Sequence, residues 1–175
     1  MGDALLTDVL CTNCGLCCDG TLFADVELSG PAEAARLEIM GLDTESENGS
    51  AGLLSQPCAA LRGTRCGIYA QRPKCCRVFE CNLLQDAKHG DVTIERALEH
   101  IADARAQIRH VRSLLVLVGN RDENLPIKER CAESLAADDA VTSKGLAHRA
   151  DLTAAMAALE KTIWNHFLGG KQRRE

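Results

Sequence analysis

The sequence predicts an α+β fold: a small irregular cysteine-rich domain over residues 1–90, followed by a mainly α-helical hairpin or bundle over residues 91–175. Three observations predict it. Nine of the ten cysteines lie between Cys11 and Cys81. That same region is broken up by glycines, prolines and polar runs, which punctuate short elements. After Gly90, apolar residues recur every seven positions, the repeat of a packed helix.

Taken in order, Leu22 to Leu28 alternates in part like a short strand. Pro31 suits the first position of a helix whose apolar members Ala34, Leu37, Ile39 and Met40 lead to Gly41, a C-terminal cap. Asp43 to Gly52 is a polar loop. Gly63-Thr64 reads as a tight turn between two short extended pieces, with Cys66 at its edge. Small loops and little apolar material predict that something other than a core holds this half together. Ile94, Ile101, Ile108 and Leu115, with Ala97, Ala104, Val111 and Val118 three positions on, form the two seams of one long helix. Asp91 or Thr93 caps its start and Gly119-Asn120 stops it. A second helix runs from Ile127 to about Ala137. A third spans roughly Lys144 to Phe167, with Leu152, Met156, Leu159, Ile163 and Phe167 on one face. The stretch from Gly169 to Glu175 reads as frayed.

Charge narrows the function classes. The chain carries 20 Lys and Arg against 25 Asp and Glu, a net charge of −5. Aromatic residues make up 3% of it. A basic face with interleaved aromatics is the footprint of nucleic-acid binding, and neither element is strong here, so no nucleic-acid partner is expected. No apolar run is long enough to span a membrane. Residues 1–11 lack the basic and apolar regions of a secretory signal, and Leu6 stands where myristoylation wants Ser or Thr. The expected compartment is cytoplasmic and the expected membrane partner is none.

In a reducing cytosol, clustered thiols point to metal ligation or redox work more than to disulfides. Cys11, Cys14 and Cys17 follow one another at the two-residue gap that lets one short turn aim two sulfurs at one ion, with Gly15 easing the turn. Adjacent Cys17 and Cys18 project differently, which implies two metal centres or one ligand beside a reserve thiol. Cys58, Cys66, Cys75, Cys76 and Cys81 add further sulfurs at intervals too irregular for zinc fingers. The histidines are scattered, so all-sulfur ligation is expected, suited to iron-sulfur clusters, four-thiolate zinc or Cu(I). From Arg62 to Phe79 there are five cations and no acid. Such neighbours favour thiolates. Cys131, between charged neighbours on a helix, reads as a buried or incidental thiol.

The string Cys11-x2-Cys14-x2-Cys17-Cys18, then Pro57-Cys58-x2-Leu61, then Cys66-x-Ile68-Tyr69-x2-Arg72-Pro73-x2-Cys76-Arg77-x-Phe79-x-Cys81, resembles the CxxCxxCC cysteine-cluster family, described as a zinc- or iron-chelating domain and sometimes labelled an iron-sulfur oxidoreductase. The resemblance covers residues 11 to 81. It implies metal ligands at Cys11, Cys14, Cys17, Cys18, Cys58, Cys66, Cys76 and Cys81. Cys75 is additional to the pattern, and Cys131 lies outside it. Arg72 and Arg77 belong to the string, as donors near the site or partners of local carboxylates, while Tyr69 and Phe79 read as packing residues.

The expected function is therefore that of a thiolate metal-binding protein holding an iron-sulfur cluster, of the 4Fe-4S kind or a comparable one, in electron transfer or a redox partnership. The first three cysteines share the opening of a bacterial ferredoxin motif, although Cys18 replaces its ending. The alternative is a structural or chelating four-thiolate Zn2+ module whose helical half is an interaction surface. A methyltransferase-related enzyme is the weaker reading, because no glycine-rich cofactor loop is present. Under that reading Cys75 is the thiol left over as a nucleophile. The helical half is expected to meet a protein partner or a second copy of the chain as a homodimer.

Overall fold

The structure, a computed structural model, describes residues 3–45, 52–136 and 143–169. Most of the polar loop, and the stretch after Gly169, lie outside the described residues. The chain divides into two compact units: Met1–Leu10, Glu80–Arg121 and Cys131–Glu175 form the first, Cys11–Phe79 and Asp122–Arg130 the second. Seven α-helices are described: α1 (Asp3–Cys14), α2 (Pro31–Ile39), α3 (Lys74–Val78), α4 (Asn82–His89), α5 (Ile94–Leu117), α6 (Ile127–Ala136) and α7 (Ser143–Ile163). A π-helical turn, Trp164–Leu168, continues α7.

The first unit is built on α5 and α7. Of the expected seams of α5, Ala97, Ile101, Ala104, Ile108, Val111 and Leu115 are buried, while Ile94 at its start and Val118 at its C-cap are half-buried. Leu152, Met156, Leu159, Ile163 and Phe167, the expected face of the last helix, are all buried. Thr162 Oγ1 donates to Gln107 Oε1 at 3.0 Å, and His100 stacks on His166 with ring centroids 4.0 Å apart. Moving backward along α5 thus moves forward along the last helix, so the two form an antiparallel hairpin. Thr93 is the N-cap, its side chain accepting from the Arg96 N–H at 3.2 Å. Small Ala97 and Ala104 in the seam let the helices approach closely.

Among the described residues, the second unit holds five short strands. β3 (Leu53–Ser55) lies between β1 (Asp25–Glu27) and β2 (Thr44–Glu45), antiparallel to both, with Val26 and Thr44 opposite Leu54. β4 (Leu61–Arg62) and β5 (Arg65–Cys66) form a hairpin around Gly63-Thr64, with Cys66 at its edge as the turn chemistry predicts. The expectation of little apolar material needs correction. Leu28, Ala34, Leu37, Leu42, Leu54 and Ala60 are buried in one cluster, against which Val26, Cys58, Ile68 and Cys75 pack. The sequence signal was diluted because these buried residues come from one short helix, one short strand and three separate loop positions, none long enough to show a period.

Asp122–Arg130 joins this unit through a close approach. The Ile127 N–H donates to Gly20 O at 3.1 Å. Gly20 has φ +75°, and a Cβ there would meet Pro126 Cα at 3.0 Å and the Pro57 ring at 3.2 Å. Only glycine meets both demands.

Candidate metal centre

The first two thiols are not on a loop. Cys11 and Cys14 occupy the last turn of α1. The expected short turn is replaced by a helix, whose three-residue spacing sets both side chains on the same face. Gly15, at φ +75°, then ends the helix, as residues in the left-handed region commonly do. A Cβ on Gly15 would lie 3.0 Å from Thr64 Cα, and Thr64 Oγ1 donates to Thr12 O at 2.5 Å. The end of α1 is thereby seated on the β4–β5 turn, which carries Cys66.

The chain next reverses, with the Cys18 N–H donating to Gly15 O at 3.0 Å. The Cys58 N–H donates to Cys18 O at 2.8 Å, so two segments forty residues apart in sequence bring their cysteines side by side. The Gly67 N–H donates to Ala60 O at 2.8 Å, which holds the arm carrying Cys66 against the one following Cys58. On α3, Cys75 and Cys76 lie with their sulfurs 3.9 Å apart. α3 follows Pro73, and its first N–H, that of Lys74, is met by Glu33 Oε1 at 2.9 Å.

Electrostatics link these thiols. Burial, followed by the neighbouring Cys58 and Cys66 and by Asp19, pushes the Cys18 thiol up to about 12, with Arg72 pulling the other way. Burial also raises Cys76, with Cys75, Cys18 and Cys58 adding to it. Cys58 is raised by burial and by Cys66, against N–H donors from Ala60 and Leu61 and the charge of Arg62. Cys18, Cys58, Cys66 and Cys76 therefore form one interacting set, beside which Cys75 stands. Cys18, Cys58 and Cys76, raised in this way, give up their protons to an incoming soft cation, whose charge then replaces what burial took away.

The other thiols are distributed differently. Cys11, Cys14 and Cys17 lie in the second unit, at the end of α1 and just beyond. Cys81 belongs to the first unit, where it precedes α4 as its N-cap. Burial raises it, opposed by N–H donors from Leu84 and Leu83. Cys131, on α6, is buried, as expected. All ten cysteines are described and none is in a disulfide. Among the described residues no three or more His, Cys, Asp or Glu side chains are already arranged around a point where one ion would sit. The donor set nevertheless suits a soft metal: several sulfurs, partly desolvated, with backbone N–H groups donating to Cys58 and Cys81 and the charges of Arg62 and Arg72 nearby.

The string's other residues take defined places. Arg72 lies over the Tyr69 ring, 3.7 Å from its centre, and donates to Tyr69 O at 3.3 Å and Cys76 O at 3.3 Å. Phe79 meets Phe23 edge-on at 5.1 Å. Tyr69 and Phe79 each keep more than a third of their surface exposed. Sequence reasoning missed Glu33 and Thr64, which place α3 and the end of α1. A Ser29-x3-Glu33 pair ahead of a helical run is the only local hint of the first, and nothing local marks the second.

A protein-family model named for the CxxCxxCC string, and described as "Putative zinc- or iron-chelating domain", matches residues 10–107. No curated protein and no solved structure matches the chain. Among the described residues, no helix is long and apolar enough to cross a membrane.

Proposed function

Because the chain belongs to the CxxCxxCC family of zinc- or iron-chelating domains, we propose that its cysteine-rich unit holds an iron-sulfur cluster and serves electron transfer or a redox partner. The observation that carries this reading is the interacting set Cys18, Cys58, Cys66 and Cys76, four sulfurs in a partly apolar setting with cationic neighbours. When bound, such a cluster supplies one-electron chemistry. The chain's own contributions follow from the geometry. Cys58 accepts from the Ala60 and Leu61 N–H groups, which disperses charge on its sulfur and tunes the potential of whatever metal it ligates. Arg62 and Arg72 offset the negative charge of Cys58 and Cys18 respectively. The apolar cluster behind Cys58 and Cys75 limits water on that side.

Cys11, Cys14 and Cys17 are the other family thiols of this unit, and Cys81, the eighth family cysteine, belongs to the first unit. A second reading, a structural or chelating Zn2+ module, draws on the same four sulfurs, since four thiolates are a closed zinc set. The unit's own apolar core weighs against metal as the sole support of its fold.

Anaerobic purification with assay of iron, zinc and acid-labile sulfide separates the two. Brown protein containing iron and sulfide supports the cluster. Colourless protein with about two zinc ions per chain defeats it. Cys18→Ser and Cys76→Ser are expected to lose metal, whereas Cys131→Ser is expected to keep the full complement.

A further inference from the structure

The five cations between Arg62 and Phe79 divide into two groups. Arg62 and Arg72 are engaged by backbone carbonyls: Arg62 donates to Ala59 O and Leu61 O, Arg72 to Tyr69 O and Cys76 O. Arg65, Lys74 and Arg77 are exposed, and among the described residues no carboxylate pairs with them. Each is the sequence neighbour of a thiol, Arg65 of Cys66, Lys74 of Cys75 and Arg77 of Cys76. The same segment exposes apolar groups: Tyr69, between Arg65 and Lys74, is 42% exposed, and Val78 and Phe79, directly after Arg77, are 67% and 37% exposed. The segment's +5 sits within a chain of net charge −5, which leaves −10 on the other 157 residues.

We infer that Arg65, Lys74 and Arg77, with Tyr69, Val78 and Phe79, form a docking surface for an acidic protein partner beside the thiols. The inference deepens the proposed function by naming the chemistry of its partner, and it rests on that reading only for the partner's purpose. Charge complementarity selects the occupant. A compact acidic patch meets the cations alone. An extended polyanion such as nucleic acid, or a flat anionic bilayer, would reach beyond the segment to the rest of the chain, which is net negative. Exposed aromatic and aliphatic groups among the cations match a protein interface, in which an apolar centre carries a charged rim. Rim charges of this kind steer encounter and make it salt-dependent.

The test measures binding of the anaerobically purified full chain to a labelled peptide alternating Glu and Leu, by fluorescence anisotropy. The controls are the same peptide with Gln for Glu, a mixed-sequence DNA duplex, and phosphatidylglycerol vesicles. The expected result is binding of the Glu peptide alone, weakened about tenfold between low and physiological salt. Arg65→Glu with Arg77→Glu is expected to raise Kd by a further factor of about ten, and the milder Arg65→Gln with Arg77→Gln by less. Arg109→Glu, on exposed α5 surface, is expected to change nothing. Thermal unfolding and metal content are recorded for every variant. Unchanged values in the doubly reversed chain place the effect at the surface, while loss of metal in both double variants would assign these cations to the metal site and overturn the docking role. No binding of the Glu peptide, binding indifferent to the reversals, or stronger binding of DNA or vesicles would also overturn it. Wild-type protein that binds the peptide but contains no metal would sustain the surface and defeat the cluster.

Discussion

Glu33 joins two elements through one carboxylate. Its Oε2 accepts from the Ser29 N–H and its Oε1 from the Lys74 N–H, each at 2.9 Å. Burial alone would raise this carboxyl, yet the two N–H groups and Arg36 outweigh it and hold the pKa below the ordinary value. A carboxyl lowered on folding adds stability above its unfolded pKa, and that stability is lost as pH falls through the folded value. Glu33→Gln is therefore expected to lower Tm at pH 7 and to differ less from the wild type at an acidic pH below the folded carboxyl's own pKa, where the carboxylate is protonated in either state. Equal Tm differences at both pH values would refute this. The sequence made the thiols legible because cysteine spacing is local. Glu33 and Thr64 were hidden because their partners are backbone atoms 41 and 52 positions away, and a backbone partner leaves no residue-type signature.

Among the elements, length decided what could be read. α5, 24 residues long, repeats its seam three times, and the last helix shows a comparable face. α1, α3 and α4 were not foreseen. α3 has five residues, too few for a period, and it is supported by the Glu33 contact at its start and the packing of Cys75 on the apolar cluster. α1 carries buried Leu6 and Leu10 one turn apart, a signal that the cysteines beyond them overshadowed. The legible helices give the firmest expectations. Thr93→Ala removes the cap of α5 and is expected to cost about 1 kcal/mol in chemical denaturation. Leu159→Ala, at a fully buried position of the last helix, is expected to cost about 2 to 5 kcal/mol by the same measurement. A reversed order of these two costs would contradict the hairpin packing.

At the scale of the molecule, two units with separate cores predict separate responses to metal. Stripping metal with a chelator is expected to speed amide exchange throughout Cys11–Phe79 and Asp122–Arg130, while α5 and the last helix keep their protection. Uniform loss across the chain would show instead that the metal supports both units. The return of Asp122–Arg130 to the cysteine-rich unit, with Ile127 bonded to Gly20, also sets a clock during synthesis. The 42 residues 80–121 must be translated after the last thiol of that unit and before the closing segment, which takes about 2 to 8 s at ribosomal rates. For that interval the nascent thiols stand without the segment that seals Gly20, so the ribosome itself gives a metal donor its earliest opportunity.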